Sequence, residues 1–271
     1  MHLSVLDQPQ RPDRRPGDAA AGSRTLLISE LLCESIDLHA AERVLDVPCG
    51  SGNAALGAAR RFCRAVGVDA PEPLERVRRR AEAEGLEVAV AEGEARELPF
   101  PDGCFDAVLS AADALSAPVP DGAAAELLRV CRPGGRIGLV AWTRDGYLGR
   151  LAAAVGRQLP APPDGQAPAL WGTQQRLREL FGPEVAITAP RRSFLWRFPS
   201  AEHQVAYLGA FHGPTAGALP ALGPDRALAL EAELLELAGR FDVSEDETLV
   251  LQLDYLEAVV RKPLWRQGRQ P

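Results

Sequence analysis

One stretch indicates how this chain folds: Val44-Leu45-Asp46-Val47-Pro48-Cys49-Gly50-Ser51-Gly52-Asn53. Its apolar start predicts a buried β-strand with a carboxylate near the end, and its glycines predict a sharp turn that opens a helix. In an open α/β sheet, ligands lie in the crevice beyond the carboxyl ends of such strands. The stretch therefore predicts an α/β protein with a ligand site at this turn.

The turn offers two electrostatic fields to a ligand. Backbone amides at Gly50 and Gly52 would lie at a helix N-terminus, where the helix dipole favours negative charge. Asp46 would attract a positive charge instead. A ligand with both a carboxylate and an ammonium fits this pair of fields, and the amino-acid end of S-adenosylmethionine (SAM) is such a ligand.

The glycines alone leave other interpretations open. The pattern from Gly50 to Ala55 also fits the G-x-G-x-x-G/A dinucleotide fingerprint, and Asp69 follows at the spacing expected of a ribose-binding acid. A tight strand-to-helix turn without any ligand is the third interpretation. Asp46 and the segments downstream distinguish among the three.

Composition limits the class of protein. The 271 residues are 46% hydrophobic, which is enough for a large domain with a sizeable core. The net charge of −7 argues against nucleic acid as a partner, since nucleic-acid binders usually carry a basic field. A basic run on the helix predicted at 71–84 is expected to be solvated surface: Arg76, Arg78, Arg79 and Arg80.

Cysteine usage and apolar runs bear on metal binding and location. The five cysteines show no metal-ligand spacing, so no metal is expected and reduced thiols in a cytoplasmic protein are; they are Cys33, Cys49, Cys63, Cys104 and Cys131. No apolar run reaches the length of a membrane span, and the N-terminus does not resemble a signal peptide. We therefore expect a cytoplasmic protein without a membrane partner.

Strands and helices alternate along the first half of the chain. Residues 1–22 predict a disordered N-terminal arm, followed by one domain at 23–271. Strand patterns occur at 43–47, 65–69, 86–90, 105–110 and 136–142, and helix patterns at 24–38, 52–61, 71–84 and 122–131. This alternation predicts a Rossmann-like, doubly wound and mostly parallel sheet.

The pattern changes after Trp142. The predicted elements there are a proline-rich loop, a helix at 173–181, a strand within 185–198 interrupted at Pro190, helices at 201–211 and 224–240 with a glycine- and proline-rich break from Gly213, and a strand at 248–260. We therefore expect seven strands with an antiparallel last strand, and a helical lid at about 200–241 inserted between the last two strands.

Four motifs in order resemble the class I SAM-dependent methyltransferases, in the branch that includes ubiquinone/menaquinone-type and many actinobacterial small-molecule enzymes. The motifs are Val44–Asn53, the acidic strand end Val66–Asp69, the stretch Gly93–Asp106 with Leu98-Pro99-Phe100, and the segment Leu128–Arg136 with Pro133-Gly134-Gly135. The resemblance covers residues 24–262. A nicotinamide-dependent dehydrogenase would not need the last two motifs.

The resemblance implies SAM as the cofactor and assigns its binding residues. The glycine loop would contact the methionine carboxylate, Asp46 the amino group, and Asp69 both ribose hydroxyls. Ala70, Glu94 and Ala95 would surround the adenine, with Glu94 standing where the family usually has Asp. The full set is Asp46, Cys49, Gly50, Ser51, Gly52, Asn53, Asp69, Ala70, Glu94, Ala95 and Ser110, the last of which would line the cofactor floor.

Residues after the strands and in the lid are candidates for the acceptor site. His212 is the candidate base because imidazole has a pKa of about 6.5, and Tyr207 could contact the same ligand. The alternative for both is a packing role in the lid. Four further residues are candidate substrate contacts, with core packing as the alternative for the indoles: Trp142, Tyr147, Trp171 and Asp113.

The sequence therefore predicts methyl transfer from SAM to a small-molecule acceptor, on O, N or C, as in natural-product tailoring. A cyclase or isomerase that binds SAM without transferring methyl is the first alternative, and an NAD(P)-dependent oxidoreductase is the second. A non-catalytic binding partner is a third. The oligomeric state is open, with a homodimer as one option.

Overall fold

The computed structural model describes residues 20–111, 122–159 and 171–264. The strands are β1 (Arg43–Asp46), β2 (Arg64–Asp69), β3 (Val88–Glu92), β4 (Phe105–Ser110), β5 (Cys131–Trp142), β6 (Ala186–Thr188), β7 (Arg191–Phe198) and β8 (Leu249–Arg261). The helices are α1 (Ala20–Ser35), α2 (Asn53–Arg60), α3 (Pro71–Glu84), α4 (Ala123–Val130), α5 (Tyr147–Gly156), α6 (Gln174–Phe181), α7 (Ala201–Phe211), α8 (Gly213–Ala221) and α9 (Pro224–Phe241).

The strands form one sheet in the order β3-β2-β1-β4-β5-β8-β6, with β7 also paired to β8. Strands β1 to β5 run parallel, whereas β8 is antiparallel to β5, β6 and β7. The predicted Rossmann-like class and antiparallel last strand are confirmed. Within the described ranges the sheet has eight strands, one more than predicted, because the interruption at Pro190 divides the region 185–198 into β6 and β7.

The order of the strands reverses at β1. The chain proceeds from β1 outward to β2 and β3, then returns to place β4 on the other side of β1. Such a switch point opens a crevice at the carboxyl ends of the two strands. Here those ends are Asp46 on β1 and Ser110 on β4, whose strands pair in parallel register.

The sheet separates two hydrophobic layers, as the alternation of residues along β5 shows. Val140 and Trp142 belong to the layer shared with α1, α2, α5 and α9, whereas Leu139 and Ala141 belong to the layer shared with α4 and α6. Both layers consist of fully or nearly fully buried aliphatic and aromatic side chains. The crevice at the carboxyl ends of β1 and β4 therefore lies between two packed layers.

The predicted helical insertion between the last two strands is present, with one correction. The predicted break at Gly213-Pro214 is the first turn of an additional helix, α8, because proline is favoured at the start of a helix, where its missing N–H costs nothing. The insertion is thus three helices, α7, α8 and α9, which pack on α5, β7 and β8.

Other elements also differ from their predicted bounds. Helix α5 was not predicted, and α1 begins at Ala20, so the predicted arm 1–22 otherwise lies outside the described residues. Strand β5 begins at Cys131, because the Pro133-Gly134-Gly135 segment lies where the register with β4 shifts. Among the helices of the described ranges, none has the length and apolar character needed to cross a bilayer.

Candidate cofactor and acceptor site

The glycine loop between β1 and α2 is a tight turn that packs against α3. Gly50 and Gly52 adopt left-handed φ values of 52° and 81°, and the Gly52 amide donates to the Cys49 carbonyl over 2.7 Å. A Cβ on Gly52 would lie 2.8 Å from Cγ2 of Val77. Glycine is therefore required at position 52 both by backbone conformation and by the approach of α3. The preceding Val47–Pro48 peptide is cis.

Asp46 supports the N-terminus of α2 from beneath the loop. It is 2% exposed, and its Oδ2 accepts a hydrogen bond from the Ala55 amide over 2.9 Å. The N-cap residue, Gly52, provides no side-chain cap, so Asp46 satisfies one of the free amides of the first turn and places a negative charge near the positive end of the helix. Its contact with a ligand ammonium stays a prediction.

Asp69, at the end of β2, has both carboxylate oxygens fixed by backbone amides. Oδ2 accepts from Gly50 N and Oδ1 accepts from Ala70 N, each over 2.8 Å. The residue is half-buried, and each carboxylate oxygen has further lone-pair capacity. Asp69 therefore joins the glycine loop to β2 and can still accept two hydroxyl groups.

The remaining predicted cofactor residues differ in exposure. Glu94 is exposed just beyond β3 and forms a short bridge with Glu97, while Ala95 is half-buried. Ser110 is 2% exposed at the end of β4, and its Oγ has no hydrogen-bond partner in the described part of the chain. A buried hydroxyl without a partner is costly, so this oxygen fits a position that a bound polar group would complete.

Arg80 contacts the glycine loop, so its predicted place on a solvated face is wrong. Its Nη1 donates to the Ser51 carbonyl over 2.6 Å and to Asn53 Oδ1 over 2.8 Å. Asn53 Nδ2 in turn donates to Thr25 Oγ1 over 3.1 Å. The helical spacing could have placed Arg80 beside the inner face of α3, because Arg80 lies three residues after the buried Val77.

His212 connects α7 to α8 and is 6% exposed. Its Nδ1 lies 2.6 Å from Thr215 Oγ1 and 3.4 Å from the Thr215 amide, so the imidazole caps α8. Burial lowers the pKa of His212 to about 4, because the charged imidazolium would be desolvated. The ring is therefore neutral at pH 7.

The aromatic candidates lie in different parts of the core. Tyr207 packs among Trp196, Phe198 and Phe211, with ring centroids 5.9, 5.6 and 4.9 Å away. Trp142 packs on Tyr255 in one hydrophobic layer, and Trp171 packs on Phe181 in the other. The structure therefore does not bring the two indoles together in one wall.

Tyr147 is a core residue in this structure. It is fully buried at the start of α5, where its hydroxyl accepts a hydrogen bond from Gln204 Nε2 over 2.6 Å and its ring contacts Phe241. Burial raises the pKa of Tyr147, so its hydroxyl stays protonated. This position does not provide the open surface expected of a substrate contact. Asp113 lies outside the described residues.

Four of the five cysteines are buried thiols, and Cys104 is half-buried. Cys49 is 3% exposed and packs with Leu74 and Val77 of α3, directly behind the glycine loop. Burial raises the pKa of Cys33 to about 12 and that of Cys131 to about 11, which makes both poor nucleophiles. Over the described ranges, no three His, Cys, Asp or Glu side chains form a group that could hold a metal ion.

Comparisons with known proteins agree with this geometry. A family model described as a methyltransferase domain matches residues 44–135, which contain the glycine loop, Asp69 and Ser110. An uncharacterized protein of Mycobacterium tuberculosis is 35% identical over 268 residues, covering 91% of this chain and 98% of its own length. Demethylmenaquinone methyltransferase of Thermus thermophilus is 46% identical over 101 residues, covering 36% of this chain and 46% of its own.

The fold is also that of solved structures. The crystal structure of a putative methyltransferase from Bacillus halodurans superposes with a TM-score of 0.59 at 20% identity, covering 87% of this chain and 98% of that one. The chain belongs to the class I SAM-dependent methyltransferases, and SAM is its cofactor. The dinucleotide interpretation of the glycine turn is thereby set aside. The half-exposed Asp69 and the partnerless hydroxyl of Ser110 both fit this cofactor.

Proposed function

We propose that the protein transfers the SAM methyl group to a small, partly apolar metabolite, on O, N or C. The observation that carries the proposal is the geometry of Asp69. Its two oxygens are held by the Gly50 and Ala70 amides at the crevice where the strand order reverses. A carboxylate oriented in this way can accept two neighbouring hydroxyls, as a ribose requires.

The remaining binding roles follow from position in the same crevice. The loop from Cys49 to Asn53 would hold the methionine end of the cofactor at the N-terminus of α2. Ala70, Glu94 and Ala95 would flank the adenine, and Ser110 would line the floor. Bound SAM supplies an electrophilic methyl group on its sulfonium. What remains for the protein is to align the acceptor and exclude water.

Three features support a small acceptor. Helices α7, α8 and α9 pack over α5 and the last strands, which suits an enclosed pocket and not a broad surface. The net charge of −7 disfavours a nucleic-acid substrate. The Thermus thermophilus relative is named for a small molecule, demethylmenaquinone. We extend the proposal to a tailoring step in natural-product biosynthesis, in a cytoplasmic enzyme.

His212 is the proposed base for an acceptor that must lose a proton. In the cap, Nδ1 accepts from the Thr215 amide over 3.4 Å, so the proton of the neutral ring lies on Nε2. His212 can accept a proton at Nε2 only in the other tautomer, in which Nδ1 gives up the cap and donates to Thr215 Oγ1, 2.6 Å away. Thr215 therefore selects between two tautomers of His212, one that accepts a proton at Nε2 and one that donates from it. The same contact orients the ring for proton transfer.

The test combines binding with turnover. Isothermal titration should show binding of SAM and of S-adenosylhomocysteine to the full chain, and mass spectrometry of candidate metabolites should show a methylated product. S-adenosylhomocysteine should accumulate in step with that product. Product formation without S-adenosylhomocysteine would instead indicate the cyclase or isomerase reaction on the same fold, and the absence of SAM binding would overturn the proposal.

A further inference from the structure

Val77 and Arg80, on the inner face of helix α3, contact the glycine loop at Gly52 and Ser51. Val77 fills the space beside Gly52, where an added Cβ would lie 2.8 Å from its Cγ2. One turn later, Arg80 donates from Nη1 to the Ser51 carbonyl over 2.6 Å. Helix α3 therefore holds the loop by the packing of Val77 and by a charge-assisted hydrogen bond from Arg80.

We propose that Arg80 is a positioning residue for the amino-acid end of the cofactor, which rests on the proposed role of the loop from Cys49 to Asn53. The peptide between Ser51 and Gly52 is held at both polar ends. Its carbonyl accepts from Arg80, and its amide donates to the Cys49 carbonyl over 2.7 Å. The orientation of this peptide sets the turn, and through the turn it sets the direction of the first amides of α2.

The same guanidinium fixes the side chain of Asn53. Arginine can only donate, so Asn53 must present its oxygen to Arg80, at 2.8 Å, and its amino group to Thr25 Oγ1, at 3.1 Å. Asn53 is 2% exposed and Thr25 is 4% exposed. One chain of hydrogen bonds therefore joins α3, the start of α2 and α1 around the loop.

Charge adds a second effect to this geometry. The guanidinium of Arg80 is half-buried beside the N-terminus of α2, where the helix dipole is already positive. Partial burial limits the screening of this charge by salt. Arg80 thus strengthens the field that a carboxylate would meet at the loop, without needing to touch the ligand itself.

The test compares two probes that differ at the amino-acid end of the cofactor. S-adenosylhomocysteine carries the amino-acid group, whereas 5′-methylthioadenosine lacks it. In isothermal titrations of the full chain, R80M should weaken S-adenosylhomocysteine about tenfold, because a charge-assisted hydrogen bond is lost. Binding of 5′-methylthioadenosine should change less than about twofold. R80K should be intermediate, since a lysine offers one point charge in place of a fork.

The control is R78M on the same helix, because Arg78 is exposed and pairs only loosely with Glu75 at 3.4 Å. It should leave both dissociation constants unchanged. Equal weakening of both probes by R80M would mean general disruption of the site and would overturn the inference, as would wild-type affinity for both. If the wild-type chain bound neither probe, the proposed function itself would fail, which separates the two failures.

Discussion

The Gly50 amide donates to Asp69 Oδ2 over 2.8 Å, and this bond joins the loop after β1 to the end of β2. The glycine loop and the acidic strand end are separate motifs in the sequence, but in the fold they form one unit. A change at either residue should therefore alter both the shape of the loop and the binding of the ribose.

We expect D69N to weaken S-adenosylhomocysteine binding about tenfold or more. The amide group of Asn would turn a donor toward the Gly50 or Ala70 amide, which needs an acceptor. Isothermal titration measures the effect. D225N is the matched control, because Asp225 is exposed at the start of α9 and has no proposed role in binding, and it should leave the affinity unchanged. Equal losses in the two variants would contradict the role given to Asp69.

G52A should destabilise the fold more than G85A does. Both glycines have left-handed φ values, 81° and 64°, so each substitution imposes a backbone cost of about 1 kcal/mol. Only at Gly52 does the added Cβ meet a neighbour, Val77, since the space around Gly85 is empty within 4 Å. Urea unfolding gives both free energies. If they were equal, the contact with α3 would not constrain the loop.

S110A should leave the unliganded protein as stable as the wild type, or make it more stable. The buried Oγ has no partner in the described residues, so removing it sacrifices no hydrogen bond there. The same change should weaken SAM binding if the hydroxyl pairs with the cofactor. Thermal unfolding with and without S-adenosylhomocysteine measures both effects. A loss of stability without ligand would show that the hydroxyl is already paired.

His212 predicts a dependence of stability on pH. Its pKa is lowered from 6.5 to about 4 by burial, so below pH 6.5 the unfolded chain takes up a proton that the folded chain refuses. The contribution of His212 to the free energy of unfolding is fully present above pH 6.5 and is lost as the pH falls toward 4. The loss amounts to at most about 3 kcal/mol.

The variant H212N isolates this effect, because Asn can still cap α8 but does not titrate. Urea unfolding at pH 7.5 and pH 5 should show a smaller decrease in stability for H212N than for the wild type. The same pH dependence in both proteins would place the titrating group elsewhere.

Y147F should cost about 1–3 kcal/mol of stability, because it leaves the fully buried amide of Gln204 without the hydroxyl that it contacts. The double variant Y147F/Q204L removes both polar groups and should recover part of the loss. Methyl transfer should be retained by the double variant. A selective increase in the KM for the acceptor would instead indicate that Tyr147 contacts the substrate.

The parts of the fold that were predicted correctly carry local signals. Helix α3 matches its predicted bounds, because Pro71 suits the first turn and Gly85 takes the left-handed position after the last. Strand β4 also matches, since its apolar run is short and bounded by turn residues. The parts that were missed depend on tertiary packing. Proline and glycine at 213–214 can break or begin a helix, and buried Thr215 and Ala218 favour the second outcome.

The site residues show the same division between what local sequence predicts and what only the packed fold reveals. Asp69 was predicted as a ligand residue from its place at a strand end, but its bonds to Gly50 and Ala70 become visible only when β1 and β2 pair. The sequence pattern places Arg80 with its basic neighbours, because charge alone does not reveal which face of a helix is buried. Its contact with Ser51 requires the packing of α3 on the loop.

Strand β8 has a consequence for how the chain folds. It pairs with β5 along one edge and with β6 and β7 along the other. All three partners, and the three helices inserted before β8, leave the ribosome before Leu249–Arg261 does. The sheet therefore stays incomplete until β8 emerges, and closure of the domain is slowed by long loop closure. During that interval the unpaired edge of β5 is the surface that a chaperone would have to shield.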